Sequence, residues 1–332
     1  MPILRIHFTG ADLVRLHLAD TPDPLWETVL SLQILKARYA PIFHAWRRRT
    51  RDALRQTGQI GQTRAVLSPL TPDTSYFPDF LTPAEGLLSL PAGLDAIRHT
   101  PVHRVRHEVR RLAFPASVPP EVKRLADGDR DLLAELGGAL AGYHRAAIAP
   151  YWEAMKRGVE VEHARRALHR RAGGPAGLLA GFGPGMRWRP PVLEMPYAVD
   201  RDLHLDGRGL LLIPSYFCWY HPVALADSGL PPAIVYPLRP TADLIHHCPA
   251  TAAEPALDRL VGPTRARVLH GTAAGASTSE LARRAGVAPT TASQHAAVLR
   301  DAGLIRSERD ANTVIHTLTP LGAALLGATP PS

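Results

Sequence analysis

The sequence predicts an α+β protein with two domains, because helical and strand-forming patterns occupy different parts of the chain. Residues 1–172 carry mainly helical apolar spacing, and residues 186–240 hold short β-prone runs that predict a small antiparallel sheet. Short helices and one hairpin are expected again after a linker in Thr241–Pro255. The 332-residue chain is long enough for two domains, which we place at 1–250 and 256–328.

The composition is that of a globular protein, with 45% hydrophobic and 20% charged residues. No apolar run reaches the length of a membrane span, and the N-terminus lacks the pattern of an export signal, so we expect a cytoplasmic protein with no membrane partner. Two cysteines give no disulfide framework. The net charge of +8 favours an anionic partner, but the basic residues are spread over the whole chain and establish none.

The N-terminal region begins with a short strand at Ile3–Phe8, followed by helices. Leu25–Arg38 has apolar residues at helical spacing and is predicted to be an amphipathic helix. The next helix, Ile42–Leu54, contains the charge run Arg47–Arg49 and Arg51. Such a run usually forms a solvated face, and a phosphate contact or a dimer interface are the alternatives.

The strand-rich part centres on Gly209–Trp219, the most apolar and β-prone run of the chain. Asp206–Gly209 predicts a hairpin turn, and Ala233–Pro237 predicts a further strand. The glycine-rich stretch Gly173–Gly185 is followed by no Lys-Ser/Thr, and no strand clearly precedes it. We therefore interpret it as a short helix between turns rather than as a phosphate cradle.

The stretch Ser277–Ile305 predicts two short helices joined by a tight turn. Ser277, Thr278 and Ser279 offer hydroxyl caps to the first helix, and Gly286 permits the turn. Pro289 suits the first turn of the second helix, which runs to about Ala302. This is a helix-turn-helix pattern, whose second helix usually enters the major groove of DNA.

Further motifs surround this stretch in a fixed order: Gly262–Leu269, Glu280–Ala282, Thr291, Ser293, His295, Val298–Arg300, Ala302–Ile305 and Leu318–Gly322. Together they resemble the winged-helix repressors of the ArsR type. The resemblance implies a hairpin wing over Arg306–His316, a closing helix after it, and binding to double-stranded DNA as a homodimer. Segments 202–219 and 233–240 also look like an uncharacterised N-terminal region of actinobacterial regulators, which names no activity.

The recognition helix is predicted to turn Ala292, Ala296 and Leu299 inward and its polar side chains outward. Thr290 and Ser293 would then donate to phosphates, and the next residue is a glutamine, which pairs naturally with adenine. The complete predicted DNA-binding set is Thr290, Thr291, Ser293, Gln294, His295, Arg300, Arg306, Arg309 and Asn312.

Two residues depart from the pattern of the family that the motifs resemble. Ala288 stands where a hydroxyl cap is usual, and Ala297 stands where a basic residue is common. The wing is mixed in charge, since Glu308 and Asp310 partly cancel its arginines. We therefore expect modest affinity for each subunit and dependence on a dimer.

A metal sensor of the thiolate kind is not expected, because Ser277–Ala285 lacks the cysteine pair that metal-sensing relatives carry. Other ligand sets can be assembled, but none has the spacing of a zinc site. They are His103 with His107, the run His246–Cys248, and His144 with Glu160 and His163. We predict no metal and no cofactor.

A small-molecule effector is the favoured sensor hypothesis, because aromatic residues are concentrated in the strand-rich part. The alternative is that they form an ordinary core between sheet and helices. The predicted pocket residues are Trp188, Tyr216, Phe217, Trp219, Tyr220, His221 and Tyr236.

An enzyme is not expected, since none of the common catalytic motifs is present. Cys218 and His221 could form a nucleophile pair, but a buried inert thiol is the simpler interpretation. The leading hypothesis is a dimeric transcriptional repressor that is controlled by a small molecule bound in the N-terminal domain. The alternative is a ligand-binding or catalytic protein that uses the winged helix for dimerisation or protein contact.

Overall fold

The computed structural model describes residues 2–37, 41–72, 76–114, 117–183, 185–219, 221–238, 258, 260–272, 275–310 and 313–326. The chain divides into two compact units, Met1–Pro240 and Thr241–Ser332. The first unit mixes helices with strands, and the second holds short helices and a small sheet, so the predicted α+β class is confirmed. None of the described helices combines the length and apolar character needed to cross a bilayer.

The first unit contains eight α-helices of five residues or more among its described residues, besides a five-residue π-helix at Thr63–Leu67 and shorter helical turns. They are α1 (Gly10–Val14), α2 (Pro24–Lys36), α3 (His44–Gln56), α4 (Leu90–Arg98), α5 (Val102–Val109), α6 (Pro120–Asp127), α7 (Arg130–Ala147) and α8 (Trp152–Ala180). Non-helical backbone at Gly173 and Gly174 divides α8, so a short helix does follow in the glycine-rich stretch.

Helix α2 lies in the middle of the first unit and is buried on every side. Its N-cap Asp23 accepts hydrogen bonds from the Leu25 and Trp26 amides. Between Pro24 and Lys36 only Gln33 and Lys36 escape full burial. The amphipathic prediction for this helix was therefore wrong, because helical spacing of apolar residues cannot tell a half-buried helix from an enclosed one when the intervening polar side chains are also buried.

The arginine run of α3 is not simply a solvated face. Arg47 is buried and donates to the Ala37 carbonyl, just beyond the end of α2. Arg51 donates to the Leu35 carbonyl at 2.8 Å. These two guanidinium groups satisfy carbonyls in the last turn of α2 that have no partner within the helix.

The strands of the first unit form two mixed four-stranded sheets rather than one antiparallel sheet. One sheet has the order β3-β4-β1-β5, and the other has the order β2-β6-β8-β7. The strands are β1 (Ile3–His7), β2 (Leu16–Leu18), β3 (Arg187–Arg189), β4 (Val192–Pro196), β5 (Arg201–His204), β6 (Leu210–Ser215), β7 (Val223–Ala224) and β8 (Ala233–Pro237).

The predicted hairpin at Asp206–Gly209 does not form, because β5 and β6 belong to different sheets. β5 instead pairs in parallel with β1, and β6 pairs in parallel with β2 and β8. Gly209 lies in the left-handed region at φ +76, and a Cβ there would stand 2.4 Å from the Arg15 carbonyl oxygen. The turn therefore brings the chain against the N-terminal segment instead of folding it back on β5.

Both sheets of the first unit contribute to one hydrophobic core. Leu4 and Ile6 of β1 and Leu212 of β6 are fully buried within it. Leu178 and Leu179, near the end of α8, belong to the same cluster. The first strands of the chain are thus tied to partners almost two hundred residues later.

The second unit has four described helices and three strands. They are α9 (Pro263–Gly271), β9 (Ala276–Ser277), α10 (Thr278–Ala285), α11 (Pro289–Asp301), β10 (Ile305–Asp310), β11 (Thr313–Leu318) and α12 (Pro320–Leu326). The strands form a sheet in the order β10-β11-β9, with both pairs antiparallel. A single core, which includes Leu269, Leu281 and Leu299, joins the helices to this sheet.

Candidate nucleic-acid interface

The first helix of the candidate interface, α10, begins at a capping box and ends at a glycine. Ser277 accepts a hydrogen bond from the Glu280 amide, and the Glu280 carboxylate accepts one from the Ser277 amide at 2.9 Å. Gly286 closes the helix in the left-handed region at φ +67. Two sequence-local signals therefore fix the direction in which the chain enters the next helix.

Helix α11 has one face in the core and one in solvent, as its sequence predicts. Ala292, Ala296 and Leu299 are buried at 0%, 1% and 2% exposure. On the opposite side Thr290, Ser293 and Gln294 are exposed, while Thr291 and His295 are half-buried at the margin. Small alanines toward the core let α11 lie close to α10, and the exposed hydroxyl and amide groups remain available to a ligand.

The start of α11 carries no side-chain cap. Ala288 occupies the N-cap position with extended backbone, and no side chain accepts from the first-turn amides. Pro289 at the next position removes one of the amides that would otherwise need a partner. The remaining free amides, on Thr290 and Thr291, lie at the positive end of the helix dipole, where an anion such as phosphate is stabilised.

The wing is the hairpin of β10 and β11. Arg306 is exposed, and its guanidinium donates to the Thr317 hydroxyl at 3.0 Å and lies 3.5 Å from the Glu308 carboxylate. Arg309 is also exposed. Asn312, predicted to turn the hairpin, lies outside the described residues. Arg300, at the end of α11, is exposed and pairs with Asp301 at 3.3 Å.

A buried histidine that was not among the residues predicted from the sequence joins the wing to α10. His316 of β11 is 5% exposed, and its two ring nitrogens lie 3.0 Å from the Thr278 hydroxyl and 2.8 Å from the Ser307 hydroxyl. Burial lowers the pKa of His316, and the charge of Arg300 lowers it further. The alternation of buried and exposed residues along β11 could have predicted that His316 is buried, since it shares a face with the buried Leu318.

A basic cavity of about 490 Å³ lies between α9 and α10, and it is not among the sites predicted from the sequence. Arg267, His270 and Arg284 line it together with Asp258 and Gly271. The Arg284 guanidinium donates to the Gly271 carbonyl at 2.7 Å, which holds that side chain against the end of α9. The sequence could have predicted two of these basic side chains together, because Arg267 and His270 are three residues apart in a helix and so lie on the same side of it.

Four of the predicted ligand-pocket residues lie in two environments of the first unit, one around Phe43 and the other in the core that the two sheets share. Phe217 and Trp219 pack around Phe43, with ring centroids 5.4 and 5.2 Å from it. Trp188 contacts Phe8 at 5.3 Å, and Tyr236 contacts Phe182 at 4.9 Å.

The remaining members of that predicted set are Tyr216, Tyr220 and His221. Tyr216 is buried, and its hydroxyl lies 3.4 Å from the Ala154 carbonyl oxygen. His221 is exposed, and Tyr220 lies outside the described residues. Most of the described members of this set therefore pack between different elements of the first unit.

The residues weighed for metal or catalytic chemistry have other contacts. The His163 ring lies 2.6 Å from the Ala19 carbonyl oxygen, and His144 packs against Trp152. Cys218 is buried, with its thiol against the His221 and Val235 carbonyls, and burial raises the pKa of that thiol. The run His246–Cys248 lies outside the described residues, and among the described ones no cluster of three metal-ligating side chains occurs.

The geometry of the second unit defines its class. Two helices joined by a glycine turn, a supporting helix and a hairpin wing form a winged helix-turn-helix domain. Residues 260–308 match a family model described as a helix-turn-helix domain. The match ends within β10, so it covers α9 to α11 but not the second strand of the wing. No curated protein and no solved structure matches the chain.

Proposed function

We propose that the protein is a DNA-binding transcriptional regulator that uses α11 as its recognition helix. The observation that carries this proposal is the division of α11 into a buried alanine-rich face and an exposed polar face. Thr290, Ser293 and Gln294 lie together on the exposed side, where their hydroxyl and amide groups can contact DNA. The helix-turn-helix match over the same residues supports the same function.

Each exposed group of α11 has a chemically suitable partner in DNA. The hydroxyl groups of Thr290 and Ser293 donate to phosphate oxygens and so fix the position of the helix on the duplex. Gln294 has one amide donor and one amide acceptor, which match the N7 and N6 atoms of adenine in the major groove. His295 and Thr291, at the margin, are placed for backbone contacts.

The wing and the end of α11 supply the charged contacts of the proposal. Arg309 has no ion pair among the described residues, so it is free to reach a phosphate. Arg306 and Arg300 share their charge with Glu308 and Asp301. Between residues 260 and 326 there are seven arginines and four carboxylates, which is a weak positive excess for a nucleic-acid surface.

Because the positive charge of one copy is weak, we propose that the protein binds DNA as a dimer, as a regulator of the ArsR type. Two copies would place two recognition helices in successive major grooves and double the phosphate contacts. Repression then follows from occupation of a promoter, and an effector acts by shifting the population of the dimer that is competent to bind. We propose a regulatory rather than an enzymatic role for the first unit, which is supported by the buried, protonated thiol of Cys218.

The test compares Gln294→Ala and Thr290→Ala with the parent chain on a duplex obtained by selection from random DNA. We expect Gln294→Ala to lose about tenfold or more in affinity for the selected duplex and to relax the base preference at one position, because a bidentate base contact is worth about 1–3 kcal/mol. Thr290→Ala should weaken binding to all sequences alike.

Gln56→Ala is the matched control, because Gln56 is an exposed glutamine in α3 of the other unit. It should bind DNA as the parent does. If Gln294→Ala folds normally and retains both affinity and base preference, α11 is not the recognition helix. The winged helix would then serve dimerisation or protein contact instead.

A further inference from the structure

A cavity in the first unit lies apart from the aromatic residues of the strand-rich part. It has a volume of about 470 Å³ and opens between α4 and α7. Leu90, Pro91 and Leu94 of α4 form apolar walls. This volume lies within the range of small-molecule sites in proteins, which combine apolar walls with a few polar groups.

Two cationic side chains line the same cavity, one from each helix. Arg98 of α4 is about half exposed, and its only described ion pair, with Asp95, is long at 3.9 Å. Arg145 of α7 is exposed and forms no ion pair with the described residues. Since neither guanidinium is committed to a close carboxylate, both remain able to bind an anion.

The third polar group of the cavity is an imidazole with an unmet hydrogen bond. His144 of α7 lines the cavity, and its Nε2 is buried without a hydrogen-bond partner. Burial lowers the pKa of His144 to about 4, so the ring is neutral at pH 7 and can donate through one nitrogen and accept through the other. Buried polar atoms without a partner are rare, and this one belongs to a residue that lines the cavity.

We propose that this cavity binds a small carboxylic acid with an apolar body. The hydrocarbon part lies against Leu90, Pro91 and Leu94, and the carboxylate pairs with Arg98 and Arg145 at the cavity rim. His144 lies beside it as a neutral hydrogen-bonding group. A nucleotide or an inorganic phosphate fits less well, because the walls are apolar and the start of α4 at the cavity offers few donors. Pro91 has no amide proton, and the Ala92 amide already donates to the Ser89 hydroxyl.

The binding claim concerns the first unit alone and stands whether or not the second unit binds DNA. Only the role of the acid as an effector rests on the proposed function. A ligand in this cavity would contact both α4 and α7, and each of these helices also packs on other elements of the first unit. Its binding can therefore be measured directly, without DNA.

The test is isothermal titration calorimetry on the full chain with octanoate and phenylacetate, each paired with its neutral amide. We expect saturable binding of at least one of the two acids and at least about tenfold weaker binding of the corresponding amide, since the amide lacks the charge. The double variant Arg98→Ala/Arg145→Ala should lose about tenfold in affinity for the acid and retain the affinity of the amide.

Arg170→Ala is the matched control, because Arg170 is exposed on α8 and does not line the cavity. It should leave acid binding unchanged. Ala141→Phe is a second, independent variant, since Ala141 lines the cavity and a phenyl ring there fills it. Circular dichroism spectra equal to those of the parent establish that each variant folds, and Ala141→Phe should then abolish binding.

Three results would overturn the inference. The first is that neither acid binds at millimolar concentration, and the second is that acid and amide bind equally. The third is that a folded Ala141→Phe variant binds the acid as tightly as the parent. Because none of these measurements includes DNA, each is distinguishable from a failure of the second unit to bind a duplex.

Discussion

At the scale of single residues, the most unusual group is the carboxylate of Glu27. It is fully buried in α2 and accepts hydrogen bonds from the Ser215 hydroxyl and the Tyr216 amide at 2.9 Å, and from the Phe217 amide at 3.1 Å. Burial raises its pKa to about 7, although these three donors favour the charged form. Glu27 thus attaches α2 to the segment that follows β6, and the free energy of this attachment depends on pH.

The raised pKa of Glu27 predicts a pH-dependent stability. Its folded pKa lies above the unfolded value of 4.5, so the folded state holds the proton more tightly. The stabilising contribution of this proton is fully present below pH 4.5 and is lost as the pH rises through about 7. Glu27→Gln cannot ionise, so the stability difference between parent and variant should shrink as pH rises from 5 to 7.5.

The measurement is thermal unfolding of both proteins by circular dichroism across that pH range. The comparison with the variant is essential, because the lowered pKa of His144 gives the opposite slope in the parent. Glu85→Gln, at a carboxylate exposed to solvent, is the matched control and should leave the slope of the parent unchanged. A difference between parent and Glu27→Gln that stays constant from pH 5 to 7.5 would contradict the assignment.

Glu27 also illustrates which residues the sequence can predict. The two faces of α11 follow from spacing within one helix, so Ala292 and Gln294 were assigned correctly to opposite faces. The partners of Glu27 are 188 to 190 residues away in the chain. No local pattern distinguishes it from an ordinary exposed glutamate in a first helical turn, and its burial follows only from the complete packing.

At the scale of elements, α11 has a local weakness at its start. Its N-cap Ala288 offers no side-chain acceptor, whereas α10 begins with a complete capping box at Ser277 and Glu280. Since a good N-cap residue stabilises a helix by about 1 kcal/mol over alanine, the first turn of α11 should open more readily than that of α10. The proposed recognition helix is therefore expected to be the less stable of the pair at its N-terminal end.

Ala288→Ser is predicted to stabilise this helix start by about 1 kcal/mol, because a serine hydroxyl there accepts from the Thr291 amide. Hydrogen exchange of the Thr291 amide in the full chain measures the effect, and exchange should slow about fivefold. Ala297→Ser is the matched control, since it adds the same hydroxyl in the helix interior and should not slow that amide. Unchanged exchange in Ala288→Ser would contradict the account.

Strand pairing is the part of the element scale that the sequence did not predict. Several strand segments follow from the sequence, among them β1, β6 and β8, but the sheets were expected to form from neighbouring strands. Instead β1 lies between β4 and β5, and β2 pairs with β6. Hydrophobic alternation identifies a strand and its buried face, while the choice of partner depends on contacts that are distant in the chain.

At the scale of the whole molecule, the two units differ in how far apart in the sequence the residues that build them lie. The second unit is built from capping boxes, glycine turns and a hairpin, all readable over a few residues. The first unit depends on Glu27, on Asp12 accepting from the Gly209 amide at 2.9 Å, and on strands paired across the chain. This contrast explains why the candidate DNA interface was predicted in detail while the cavity between α4 and α7 was not.

The most direct test of the central claim is a fluorescence-anisotropy titration of a labelled mixed-sequence duplex with the full chain. At low ionic strength we predict saturable binding that weakens steadily as salt is added, because phosphate contacts release counterions. The slope against salt should be shallow for each subunit, given the small positive excess of the second unit. No rise in anisotropy at low salt, with the protein folded, would contradict the proposal that this chain binds DNA.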